Sequence, residues 1–135
     1  MILENLTPKK QIEAMMNSDV LLGALGSGFT NVMFMVPGSV AIIVSPPYIG
    51  GFFFHSMTEL SNVWYLPMYN YSTSIPNECV DAMDDFGHVM KSNCGKFLYA
   101  QDVYIVPGVL ENYMKLADVH LKMYKYPKWQ AKRKL

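Results

Sequence analysis

Apolar side chains along this chain fall in short clusters separated by glycine, proline and small polar residues. Val20-Leu21-Leu22, Val40-Ala41-Ile42-Ile43-Val44 and Val63-Trp64-Tyr65-Leu66 are continuous apolar runs without alternation. Runs of this length, bounded by breakers, predict strands covered on both faces, as in a parallel sheet. Between them, apolar positions recur at helical spacing. Thr7-Pro8 opens a first helix, the hydroxyl as cap and the proline where its missing N–H costs nothing. Ile12, Met15 and Met16 form its apolar face, and it ends near Asn17. Phe29, Val32 and Met33 predict a helix over 29–35, stopped by Pro37-Gly38. Phe53, Met57 and Leu60 predict the inner face of a helix over 52–61, and Pro67 weakens the strand after it. Residues 70–77 read as loop, 80–91 as helix and 103–106 as a last short strand. Leu110, Tyr113, Ala117, Leu121 and Tyr124 trace the stripe of a C-terminal helix. This alternation predicts an α/β fold, a mostly parallel sheet flanked by helices and half of a doubly wound arrangement.

Residues 20–58 contain no Asp, Glu, Lys or Arg, which raises the question of a membrane span. A spanning helix needs about 20 predominantly apolar residues. Here Gly23, Gly26, Ser27, Gly28, Asn31, Pro37-Gly38 and Pro46-Pro47 interrupt the stretch, so it reads as buried strands and turns. A small membrane protein built from it is the outlying alternative. No basic segment followed by an apolar stretch opens the sequence, so no signal peptide is expected there.

Composition narrows the class. At 51% hydrophobic residues and zero net charge, the 135-residue chain is not disordered. Only 16% of residues are charged, against about 25% in typical soluble domains. So apolar a surface points to a large interface or to membership of something larger. Residues 1–118 carry five Lys and eleven Asp or Glu, whereas 122–135 carry Lys122, Lys125, Lys128, Lys132, Arg133 and Lys134 and no acid. We read 1–121 as one Rossmann-like domain and 122–135 as a basic, solvated tail; nothing else supports nucleic-acid binding. Cys79 and Cys94 pair only in an oxidising compartment. Asn5-Leu6-Thr7 and Asn70-Tyr71-Ser72 are glycosylation sequons that lean toward a secretory route.

The chemistry-bearing feature is a strand, then Gly23-x-x-Gly26-x-Gly28, then a helix. In a parallel sheet this places a glycine turn at a strand's carboxyl edge beside a helix N-terminus. Bare N–H groups and the positive helix end favour a phosphate there. Gly26, Ser27, Gly28, Thr30 and Asn31 are the candidate phosphate-binding residues, the last two adding a hydroxyl and an amide within one turn. The alternative is a tight strand-to-helix turn with no ligand. The dinucleotide fingerprint lacks its last glycine, and no Gly-Lys-Ser/Thr follows for a nucleoside-triphosphate loop.

Over about 30 residues, "SDVLLGALGSGFTNVMFMVPGSVAIIVSPP" resembles the C-terminal half of glycosyltransferase family 61. That family includes plant xylosyl- and arabinosyltransferases and endoplasmic-reticulum protein O-GlcNAc transferases. Its pattern is an apolar strand, a G-x-H-G-A-G-L-[ST]-[NH] turn, an apolar helix, P-P-G-S, and an apolar strand ending at proline. Gly23, Gly26, Ser27, Gly28, Phe29, Thr30, Asn31, Pro37, Gly38, Ser39 and Pro46 meet it in order; residues 48–135 are only loosely similar, chiefly at Gln101-Asp102-Val103-Tyr104. The resemblance implies the donor-binding, C-terminal half of a two-domain GT-B fold. It implies inverting transfer from a nucleotide sugar, a UDP-sugar, to a glycan or protein acceptor, with no metal or other cofactor. No Asp-x-Asp signal for a metal-bound diphosphate is present. The turn would hold the diphosphate and stabilise charge growing on the leaving group. The general base would come from an N-terminal half outside this sequence, so no catalytic residue is assigned. Residence would be the Golgi or endoplasmic-reticulum lumen, with a membrane anchor in the full-length protein. Two positions depart from the pattern: the turn's His is Leu25, and a Glu of the following strand is Ile43. Both losses leave open a catalytically degenerate relative that binds a nucleotide or a partner.

Other polar residues carry less. Asp81, Asp84, Asp85 and His88 share a helical face that reads as solvated rather than as a metal site. His55 and His120 receive no role. Tyr48 stands where a crevice would open, able to stack on a base or sugar or simply to pack. The eleven Met read as core filler and interface surface.

Overall fold

A computed structural model describes residues 5–45, 52–69 and 105–125. Within them the chain is α/β: a three-stranded parallel sheet, order β1-β2-β3, with helices on both faces. The elements are α1 (Pro8–Met16), β1 (Val20–Ala24), a 3₁₀ helix (Ser27–Phe34), β2 (Val40–Ser45), α2 (Phe52–Leu60), β3 (Trp64–Tyr69) and α3 (Pro107–His120). A wider π-helical turn, Leu121–Lys125, continues α3. Val20 stands opposite Val40, and Val40 opposite Trp64, so the amino ends of all three strands lie level.

β2 is the central strand, and every one of its six residues is buried. Its lack of alternation has the expected cause: both faces are covered, each burying Val or Ile for roughly 1.5–3 kcal/mol. Val40, Ile42 and Val44 pack on Ala117 and Leu121 of the C-terminal helical segment, with Met68 beside them. Ala41 and Ile43 point the other way. Ala41 meets Met15 of α1 and Val32 and Met35 of the first crossover; Ile43 meets Leu25 and Phe29. Both crossovers therefore lie on one face, as right-handed connections in a sheet of order 1-2-3 require. Pro67 is accommodated because β3 is an edge strand among the described residues, and its carbonyl accepts the Tyr113 hydroxyl at 2.9 Å.

The first helix matches its expected span, with Thr7 as cap and Met15 buried, but Met16 is exposed. The element expected as an α-helix over 29–35 is a 3₁₀ helix over Ser27–Phe34. Thr30 Oγ donates to the Ser27 carbonyl (2.8 Å) and Asn31 Nδ2 to the Gly28 carbonyl (3.2 Å), both three residues back, competing for backbone acceptors. Three residues per turn put Phe29, Val32 and Met35 inward and leave Met33 51% exposed. In α2 the inner face is likewise shifted: Phe54, Met57 and Thr58 face in, whereas Phe53 is exposed and Leu60 is 86% exposed. Three consecutive Phe leave the helical phase undetermined by apolarity alone. Phe54 is selected by an edge-to-face contact with Phe29, ring centroids 6.1 Å apart.

The strand expected at 103–106 is not formed at its described end, where Val106 is instead the N-cap of α3. At the other end of that helix the π-helical turn carries Lys125, not Tyr124, onto the inner face. Lys125 is 4% exposed. Its ammonium donates to Asp19 Oδ1 (2.5 Å) and Ser39 Oγ (2.8 Å), fastening the helical segment to the amino edge of β1 and β2. Gly38, at φ +88°, passes so close that a Cβ there would lie 3.3 Å from the Lys125 Cβ. Beside this latch His120 stacks on Trp64 at 4.5 Å. Burial pulls the His120 pKa below the usual histidine value, opposed by a hydrogen bond to the Gly38 backbone.

The charge-free stretch becomes strands and short helices where it is described, and no helix among the described residues is long and apolar enough to cross a membrane. Residues 46–51 and 70–104 lie outside the described residues. With them lie Tyr48, the expected helix over 80–91 with its acidic face, Cys79 and Cys94. Of the tail expected over 122–135, residues 126–135 lie outside them as well; Lys122–Lys125 are helical, and Lys125 is buried rather than solvated because Asp19 and Ser39 hold its ammonium.

Candidate functional site

The glycine turn lies at the carboxyl edge of β1. Leu25 N–H donates to the Val44 carbonyl at 2.8 Å, extending the β1–β2 register one step past Ala24. The chain then leaves the sheet at Gly26, which caps the 3₁₀ helix. The first turn closes with Phe29 N–H on the Gly26 carbonyl at 3.0 Å. The amides of Gly26, Ser27 and Gly28 precede that bond and take no backbone acceptor among the described residues. Such amides at a helix start are the groups that hold an anion.

The four glycines of the first crossover divide by what requires them. At Gly23 a Cβ would lie 3.2 Å from the Phe29 ring, so the chain's own packing accounts for that glycine. At Gly38 the left-handed φ accounts for it. Gly26 has an extended φ of 179° that any residue adopts, and an added Cβ would meet only the Ala24 carbonyl oxygen at 3.9 Å. At Gly28 a Cβ would meet nothing within 4 Å among the described residues, and its φ is not left-handed. The tight-turn reading thus explains Gly23 and Gly38 but neither glycine between the free amides.

The five candidate residues are brought together within one turn but not in equal readiness. Ser27 and Gly28 are exposed, and Gly26 is half-buried. Thr30 spends its hydroxyl proton on the Ser27 carbonyl. Asn31 divides its amide between the Gly28 carbonyl and Gln11 Oε1, the latter at 3.4 Å. Their side chains shape the turn, leaving backbone N–H groups and the Ser27 hydroxyl as the outward donors.

Leu25 and Ile43, the two departures from the glycosyltransferase pattern, are in contact. With Phe29 they form a buried apolar cluster beneath the turn, flanked by Leu21, Phe54 and Tyr65. The two positions thus belong to one apolar plug beneath the turn. One polar group at this end of the sheet was not anticipated. Ser45, the last residue of β2, is 0% exposed, and its hydroxyl has no hydrogen-bond partner among the described residues. The only signal for it in the sequence is a serine closing an otherwise apolar strand. Among the described residues no group of three or more His, Cys, Asp or Glu could hold a metal ion.

Compared with protein-family models, curated proteins and solved structures, the chain has no significant match to any.

Proposed function

We propose that this chain binds the diphosphate of a nucleotide sugar at the Gly26–Gly28 turn, as the donor-binding region of a glycosyltransferase resembling family 61. The carrying observation is that Gly26 and Gly28 stand among unpaired amides where the chain's own packing asks for no glycine. Close approach of a ligand to the backbone is a use that two bare positions there would serve. The location supports the same reading, since ligands of open parallel sheets sit outside the carboxyl ends of the strands. In this function the amides would hold the diphosphate without a metal and stabilise the charge that develops on it as the sugar leaves. The acceptor and its general base belong to an N-terminal half of the enzyme. The GT-B fold, the lumenal setting and the UDP-sugar donor are parts of this proposal and rest on the motif resemblance.

A second reading has a specific observation in its favour. With Leu25, Phe29 and Ile43 packed together, the chain keeps the anion-holding backbone but lacks the polar pair beneath it. That arrangement suits a relative that binds the nucleotide without transferring its sugar. Calorimetric titration of UDP into the chain in the presence of EDTA tests the shared core of both readings. Saturable one-to-one binding is expected, and no binding at millimolar UDP refutes both. Turnover of UDP-sugar by the chain joined to its N-terminal half then separates them.

A further inference from the structure

We propose that the Ser45 hydroxyl is an additional donor to the bound diphosphate, reaching it from beneath the glycine turn. The inference rests on the reading that a diphosphate occupies that turn. Ser45 ends β2 and follows Val44, whose carbonyl takes the Leu25 amide. Alternation along β2 places its side chain on the face of Ala41 and Ile43, the face that the 3₁₀ helix and α2 cover. The next register step sets Ser45 beside Leu25, immediately before the free amides of Gly26, Ser27 and Gly28. The hydroxyl is fully buried and bonds to nothing among the described residues. A buried hydroxyl without a partner is a net cost to the fold, and alanine would be cheaper there. A hydroxyl donating to an anionic oxygen, by contrast, makes one of the stronger hydrogen bonds available to a neutral side chain. Backbone amides from the helix start and a side-chain donor from the central strand would then grip the diphosphate from two directions.

The test is calorimetric titration of UDP, and separately of inorganic pyrophosphate, into the 135-residue chain and its Ser45→Ala variant. Loss of one hydrogen bond to a charged group predicts roughly tenfold weaker binding of both probes. Thermal unfolding should show Ser45→Ala at least as stable as the parent, because no internal bond is lost. Ser45→Cys, which keeps the side-chain shape with a somewhat larger atom but donates weakly, should weaken binding as Ala does. If the parent binds UDP and Ser45→Ala binds it equally well, the role of Ser45 is overturned and the diphosphate reading stands. Weakened UDP binding with unchanged pyrophosphate binding would also overturn it, since Ser45 would then serve another part of the nucleotide. A variant that loses stability along with affinity overturns it too, by showing that the hydroxyl serves the fold. If the parent binds neither probe, the diphosphate reading falls and this inference with it.

Discussion

The latch at the amino edge of the sheet makes an asymmetric prediction about its two charged partners. Lys125 is almost wholly buried, its side chain 5% exposed, while the Asp19 side chain is 48% exposed. Removing the carboxylate in Asp19→Ala strands a buried ammonium with Ser39 as its one remaining latch partner. Breaking a buried pair in this way costs about 3–5 kcal/mol, and the exposure of Asp19 puts the expected cost near the lower end, about 3 kcal/mol. Removing the cation in Lys125→Met is milder. The aliphatic stem against Gly38 is retained, the Asp19 carboxylate is already half-exposed, and Ser39 Oγ keeps its 3.3 Å bond to the Ser18 carbonyl. What is lost is of the order of one hydrogen bond, about 1 kcal/mol. The difference of about 2 kcal/mol should separate the urea midpoints by about 1 M, for a slope of about 1–3 kcal/mol/M. Equal midpoints, or Lys125→Met the less stable of the two, would refute the assignment of Lys125 as a buried cation held by Asp19. Because the latch and the glycine turn lie at opposite ends of the strands, whichever variant folds should bind UDP as the parent does.

Two further outcomes follow from the packing and the charge. Ile43→Glu places a carboxylate in the fully buried centre of β2 against Leu25 and Phe29, and should cost more than about 4 kcal/mol or abolish folding; circular dichroism and denaturant melts of an intact, near-native variant would show that the apolar plug is not as described. His120 is held below the ordinary histidine pKa, so the unfolded chain binds its proton first and stability falls as pH drops from about 6.5 toward the folded-state value. His120→Phe, which keeps the stack on Trp64, should flatten that acid-side loss in melting temperature, and an unchanged slope would exclude His120 as its source.

How far the fold could be read from the residues depended on whether local pattern or distant contact decided each position. The unbroken run 40–44 identified a doubly covered strand because apolar residues on both faces have no other stable use in a parallel sheet. Thr7-Pro8 located the start of α1 because a cap is a local device. The phase of the first crossover is not legible in the sequence, because the spacing of Phe29, Val32 and Met33 is compatible with an α-helix. Only the Thr30 and Asn31 side-chain bonds and the burial of Met35 reveal a three-residue period. Lys125 reads in sequence as one more cation of a basic stretch; its partner Asp19 lies 106 residues away, beyond any pattern. At the candidate site the glycine spacing was legible. Which glycines the fold itself requires was not, since that depends on where the Phe29 ring and the Lys125 stem come to rest.

The central claim, that Gly26 and Gly28 are bare so that a diphosphate can approach the backbone, is tested most directly by Gly28→Ala. Its Cβ meets no atom of the described residues within 4 Å and its φ is not left-handed. The substitution should therefore leave stability unchanged or raise it by about 0.4–1 kcal/mol through the unfolded state. The account predicts that UDP titrated into this variant binds at least tenfold more weakly than into the parent, at equal or higher melting temperature. Undiminished UDP affinity in a stably folded Gly28→Ala would contradict it.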